Sequence, residues 1–164
     1  MIEIEKSLSA DTRTAKGDID KETLLKSTKQ HIGDVKKACD FFINMLRDAA
    51  TKHDHSKIEL IDEFHHDFIE GLHGKDFKKS AWYNKHIQER HHLHSKCPED
   101  VNLIDVIEMI ADIVVAGMAR SGEVYDDKLD SSILELAFKN TVEMLKKEIK
   151  IVDNNDIFNT PIEK

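Results

Sequence analysis

The residues with the most chemical potential in this chain are its histidines and one spaced set of carboxylates. Nine of the ten histidines fall between His53 and His94, inside the chain rather than at a terminus where a purification tag would sit. Residues 51–57 read TKHDHSK and place His53 directly before Asp54. Further on, Asp105, Glu108 and Asp112 are spaced by three and four, which puts them on one face of a helix. The helix that carries them, VNLIDVIEMIADIVVAGMA, is apolar on almost all sides, so it is expected to be central and buried. Carboxylates in a core are costly unless a cation neutralises them. The bland alternative is a solvated acidic stripe.

Imidazole together with carboxylate is the ligand set of Zn, Mn, Fe, Ni or Co, whereas Mg prefers oxygen. His31, the His53-Asp54 pair, the histidines of 86–94 and Asp112 come from four separate segments. Helical bundles commonly build metal sites by such convergence. An adjacent His-Asp pair at a helix end can supply two ligands at once, because irregular backbone lets neighbours aim at one point. Alone, a histidine such as His31 on an apolar stripe reads as a core residue satisfied by one hydrogen bond.

The elements that must position these groups are helical. Leu24, Thr28, His31, Val35, Ala38, Phe42, Leu46 and Ala49 recur at steps of three and four and predict a long amphipathic helix with Asp20 at its start. Ser56 is placed to cap a second helix reaching Leu72. Ser80 precedes a third, AWYNKHIQERHH, which Cys97-Pro98 breaks. The apolar helix of 101–119 ends at Gly122, and Ser131 or Ser132 opens a last helix through about Val152. No strand-type alternation stands out. The fold class predicted is all-α, a compact bundle of about five main helices. Residues 1–18 are expected as a flexible arm, 19–152 as a single helical domain and 153–164 as a tail.

Composition narrows the partners. The net charge is −8, with no block of Lys and Arg to track a phosphate backbone, which argues against general nucleic-acid binding. Cys39 and Cys97 form no Cys-x-x-Cys pair, which argues against a disulfide scaffold or thiolate zinc site, and Cys39 reads as a small buried hydrophobe. No apolar run reaches membrane-spanning length and no signal peptide is visible, so a cytoplasmic protein is expected. The long helices permit a homodimer without requiring one.

The order His31 … His53-Asp54 … Asp112 resembles the HD-domain metal-dependent phosphohydrolases. The run HDHSK is similar to their His-Asp-x-Ser-Lys or His-Asp-x-Ser-Glu sequence. AWYNKHIQERHH followed by IEMIADIVVAG further resembles a group of short phage and bacterial members, in which Trp82, His86, His91-His92, Glu108 and Asp112 match recurring positions. The likeness spans about residues 28–120. It implies an all-α, HD-like fold acting in a cytoplasm, the host's if the chain is phage-encoded.

The resemblance also implies roles. His31, His53, Asp54 and Asp112 would hold a first divalent ion, and Asp54 would bridge to a second held by His86 and by His91 or His92. Because His86 and His91 lie five apart, about 140° around a regular helix, that helix must end between them or only one can be a ligand. The implied reaction is hydrolysis of a phosphate ester, of a nucleotide by analogy, by metal-activated water. Asp54, Lys57 and Glu108 would take catalytic parts, and Lys57 and Arg90 would contact the small phosphorylated substrate. His92 and Asp105 would stand behind the ligands. Lys57 is equally readable as a surface lysine in the first turn of the next helix. Two other classes stay open: a di-iron oxygenase of HD type, and a non-catalytic metal-binding or interaction protein.

Overall fold

A computed structural model describes residues 1–5, 18–124 and 126–152. The order is β1 (Ile2–Glu5), α1 (Lys21–Lys52), α2 (His55–Glu59), α3 (Ile61–Leu72), a short 3-10 turn at Phe77–Lys79, α4 (Ala81–His86), α5 (Leu103–Ser121), α6 (Ser131–Glu148) and β2 (Ile149–Val152). The protein is mostly α-helical, as expected, with one small two-stranded sheet among the described residues. No described helix is long and apolar enough to cross a membrane.

The sheet departs from the expectation of a loose arm and a last helix reaching Val152. Ile2–Glu5 pairs in parallel with Ile149–Val152, in the register Ile2↔Ile149 through Glu5↔Val152. The sequences IEIE and IKIV alternate with the period of a strand. Four residues are too few for that signal to stand out beside a helical stripe. The other parts of the expected arm, 6–17, and the tail 153–164 lie outside the described residues.

The chain divides into two compact units, Met1–Ile43 with Glu143–Lys164, and Asn44–Val142. At 32 residues α1 extends about 48 Å, more than one small core spans, and it contributes to both units. In the first unit, Lys37 donates to the Glu3 carbonyl at 2.8 Å and Gln30 to that of Glu5 at 3.0 Å, tying β1 to α1. The start of α1 is held by the Asp20 carboxylate, which accepts the Thr23 N–H at 2.7 Å. Cys39 is exposed, not buried as its place in the stripe suggested.

In the second unit, Leu93, Val101, Val106, Met109 and Ala137 form a core, with Leu103, Ile113, Leu129 and Ile133 packed on it. A capping box fixes the entry to α5: Asn102 Oδ1 accepts the Ile104 N–H at 2.9 Å, and Asp105 Oδ2 accepts the Asn102 N–H at 2.9 Å. Gly122 closes α5 in the left-handed conformation at φ 76°. α6 opens at Ser131, as expected, and Asp130 before it accepts the Ser132 N–H and hydroxyl. The expected helix 56–72 is broken at Leu60 into α2 and α3. α5 is less buried than its composition suggested, with Ile107, Ile110, Val114, Val115 and Met118 exposed.

Candidate metal centre

Among the described residues, three groups bring ligand atoms within 4.8 Å of one another: His53–His91–Asp112, Asp54–His91–His92, and Asp54–His86–Glu89. All belong to the second unit. Their meeting starts with the end of α1. After Lys52 the backbone turns through Asp54 at φ 55° and ψ 22°, the one described non-glycine residue with positive φ. Helices usually end here with glycine; aspartate tolerates the left-handed region better than most side chains but still incurs some strain. The turn leads into α2 at His55 and leaves His53 and Asp54 between the two helices.

The second contribution comes from the end of α4. This helix is capped by Ser80, whose hydroxyl accepts the Tyr83 N–H at 3.1 Å, and it stops at His86 rather than running on to His92. The break removes the angular conflict between His86 and His91. Both rings are now buried and turned toward Asp54, His86 at 5% and His91 at 2% exposure. Trp82 stacks on His86 with centroids 4.6 Å apart and on Phe64 at 4.1 Å, so the only tryptophan both fills the core and fixes that ring. The third contribution is the face of α5 that carries Glu108 and Asp112.

The distances are those of ligands rather than of hydrogen bonds. His53 Nε2 lies 3.5 Å from Asp54 Oδ2 and 3.6 Å from Asp112 Oδ1. Across the same carboxylate, His86 Nε2 and His91 Nε2 lie 3.6 and 3.7 Å from Asp54 Oδ1. These gaps are too long for hydrogen bonds. Ligands about 2.1 Å from an ion stand roughly 3.4 Å apart on a tetrahedral edge, which matches them. Asp54 Oδ1 and His91 Nε2 are also buried with no hydrogen-bond partner, a costly arrangement that a cation would relieve. His92 Nε2 meets His86 Nε2 at 2.9 Å, so both His91 and His92 belong to the cluster. The residues present therefore fit a divalent ion on either side of Asp54.

The surroundings prepare the rings. Glu108 Oε1 is 3.0 Å from His53 Nδ1 and 3.3 Å from His91 Nδ1. A carboxylate accepts only, so the His53 hydrogen bond puts that ring's proton on Nδ1 and leaves its Nε2 toward Asp54, and the same carboxylate beside His91 Nδ1 favours the same form there. Burial pushes the His86 imidazole down from its usual value. Burial, with His91 and His86 beside it, pushes His92 down to about 4. Those two rings are thus neutral at pH 7, the form that binds metal. Burial works against the Asp54 carboxylate, but the Lys57 ammonium paired with its Oδ2, helped by His53 and His86, holds its pKa below the usual range.

The other expected residues are placed differently. His31 is exposed on α1 in the first unit and belongs to none of the three groups; Val35, next on that stripe, and adjacent Ile32 are exposed as well. Arg90 is engaged within the protein rather than held toward a ligand. Its Nε and Nη2 each donate to the Asp105 carboxylate at 2.7 Å, and Nη1 donates to Asp100 at 3.0 Å. Asp105, buried at 3% exposure, serves that pair and the helix cap, not the histidines. Ser56 lies inside α2 and does not cap it; Asp54 occupies the cap position.

Glu89 was not anticipated. Its Oε1 accepts the Ser56 N–H at 3.0 Å and lies 3.6 Å from His86 Nδ1. Its spacing of three from His86 was the available signal, hidden by reading 81–92 as one helix. Two open cavities reach the cluster. One of about 240 Å³ is walled by Leu46, Ala50, His53 and Asp112, and one of about 380 Å³ by Lys52, Glu89, His91 and Glu108. No protein-family model, curated protein or solved structure matches the chain.

Proposed function

We propose that this protein is an HD-domain-like, metal-dependent phosphohydrolase that cleaves a small phosphate ester, a nucleotide in the first instance. The observation that carries the reading is the Asp54 carboxylate, with one oxygen toward His53 and Asp112 and the other toward His86 and His91. The order of His53-Asp54 and Asp112 in the sequence supports the same family. One or two ions of Mn, Fe, Ni, Co or Zn would be held by His53, Asp54 and Asp112 on one side, and by Asp54, His86, His91 and His92 on the other. When bound, such an ion polarises a phosphoryl oxygen and lowers the pKa of a water molecule.

The remaining work falls to the chain itself. Glu108 holds the proton of His53 on Nδ1, away from the centre, and stands 3.3 Å from His91 Nδ1. Lys57 stands at the rim, its side chain 37% exposed, where its ammonium can meet a phosphate oxygen once released from Asp54. His53 and Asp112 open on the 240 Å³ cavity, whose wall is mainly apolar.

The test is metal analysis of the purified protein, followed by phosphate release from a panel of nucleoside monophosphates and other phosphate esters with each metal restored. Release that disappears in Asp112→Asn supports the proposal. Stoichiometric metal with no ester cleaved would leave a metal-binding protein instead, and no metal uptake at all would remove the basis of the reading.

A further inference from the structure

His86 differs from the other two rings that face Asp54. His53 and His91 have Glu108 behind them, but His86 has a hydroxyl: its Nδ1 lies 2.8 Å from Ser56 Oγ. A hydroxyl can donate or accept, so by itself it does not decide which ring nitrogen carries the proton. If Ser56 donated to Nδ1, the proton of the neutral ring would sit on Nε2 and point at Asp54. The direction of this hydrogen bond, with the 2.9 Å contact from His92 Nε2 at the other ring nitrogen, therefore decides whether His86 presents a lone pair or a proton.

Glu89 breaks the tie. Its Oε1 takes the Ser56 N–H at 3.0 Å and stands 3.6 Å from His86 Nδ1, on the same side of the ring as the hydroxyl. A carboxylate this close to Nδ1 favours a proton on that nitrogen over a lone pair. The Ser56 hydroxyl oxygen, 2.8 Å away, is then the acceptor for Nδ1–H. Trp82, stacked at 4.6 Å and inclined by 17°, keeps the ring from turning out of this alignment. Its indole N–H also reaches the Ser56 carbonyl at 3.4 Å.

We infer that Ser56 and Glu89 form a positioning pair that locks His86 as the Nδ1–H tautomer, so that its Nε2 lone pair faces Asp54. The inference rests on the reading of His86 as a ligand, but its first test does not require metal. Ring ¹⁵N shifts of His86 in the metal-free protein at pH 8 report which nitrogen is protonated. The wild type and Ser56→Thr, which keeps the hydroxyl, should show Nδ1–H. Ser56→Ala and Glu89→Ala should move the proton wholly or in part to Nε2, with amide spectra outside the site unchanged. An Nε2–H ring in the wild type, or an unchanged tautomer in both alanine variants, overturns the inference.

Cobalt titration of the same proteins gives the second readout. Ser56→Ala should weaken Co²⁺ binding about 10–100-fold, the usual effect of losing a group behind a ligand, and Ser56→Thr should restore it. Wild-type affinity in Ser56→Ala counts against the pair. If wild type takes up no cobalt while its ¹⁵N shifts show the lock, the metal reading fails and the tautomer assignment stands.

Discussion

Asp54→Asn separates the two demands made on this residue, one by the backbone and one by the charge. Asparagine tolerates the left-handed φ of 55° and has nearly the same shape. In metal-free protein the substitution loses the pair with Lys57, which is partly exposed and so is worth about 0–1 kcal/mol. It also removes the charge of a carboxylate whose Oδ1 is buried without a partner, which offsets that loss. At about 2–4 °C per kcal/mol for a chain of this size, the metal-free Tm should move by no more than about 4 °C. With Mn²⁺ at about 100 times Kd, wild type gains roughly 2.7 kcal/mol, a rise of about 5–11 °C, because only the folded state holds the ion. Asp54→Asn should lose nearly all of that rise. Asp54→Ala should lose it too and should start a few degrees lower, because alanine at positive φ costs about 1 kcal/mol or more. Differential scanning fluorimetry across the candidate ions reads all three proteins together. A full wild-type rise in Asp54→Asn would refute the assignment of Asp54 as a ligand, whatever the substrate proves to be.

Other outcomes follow from the same geometry. Arg90→Ala leaves buried Asp105 without its two-pronged partner and should cost about 1.5–3 kcal/mol in urea unfolding, with Arg90→Lys recovering only part. Trp82→Ala opens a cavity between Phe64 and His86, should cost about 3–5 kcal/mol, and should weaken metal binding as well. His92 takes up its proton only near pH 4 when folded but near its ordinary 6.5 when unfolded. Stability of the metal-free protein should therefore fall as pH drops from about 6.5 toward 4, and His92→Asn should flatten the Tm–pH curve in that window.

The helical class and the His53-Asp54 turn were legible because both are local: a stripe of period 3.6, and two polar residues where it ends. The face shared by Glu108 and Asp112 was legible for the same reason. The role of Asp105 was not, although it lies on that face, because it depends on Arg90 from another segment. Ser56 read as a cap and Glu89 as one position of an unbroken helix over 81–92; their meaning comes from the break after His86, which no periodicity marks. His31 sits in the long stripe with the right residue type, but that stripe continues through α1 into a different unit from the histidine cluster. The strands were missed because each offers only four residues, and their pairing joins positions almost a chain length apart.

That pairing has a consequence for the order of events during synthesis. Ile2 cannot meet Ile149 until 147 more residues have been made, roughly 7–30 s at about 5–20 residues per second. The segment Asn44–Val142, by contrast, is continuous and holds every member of the histidine–carboxylate cluster. The residues that face Asp54 can therefore assemble on a nascent chain while β1 still waits for its partner.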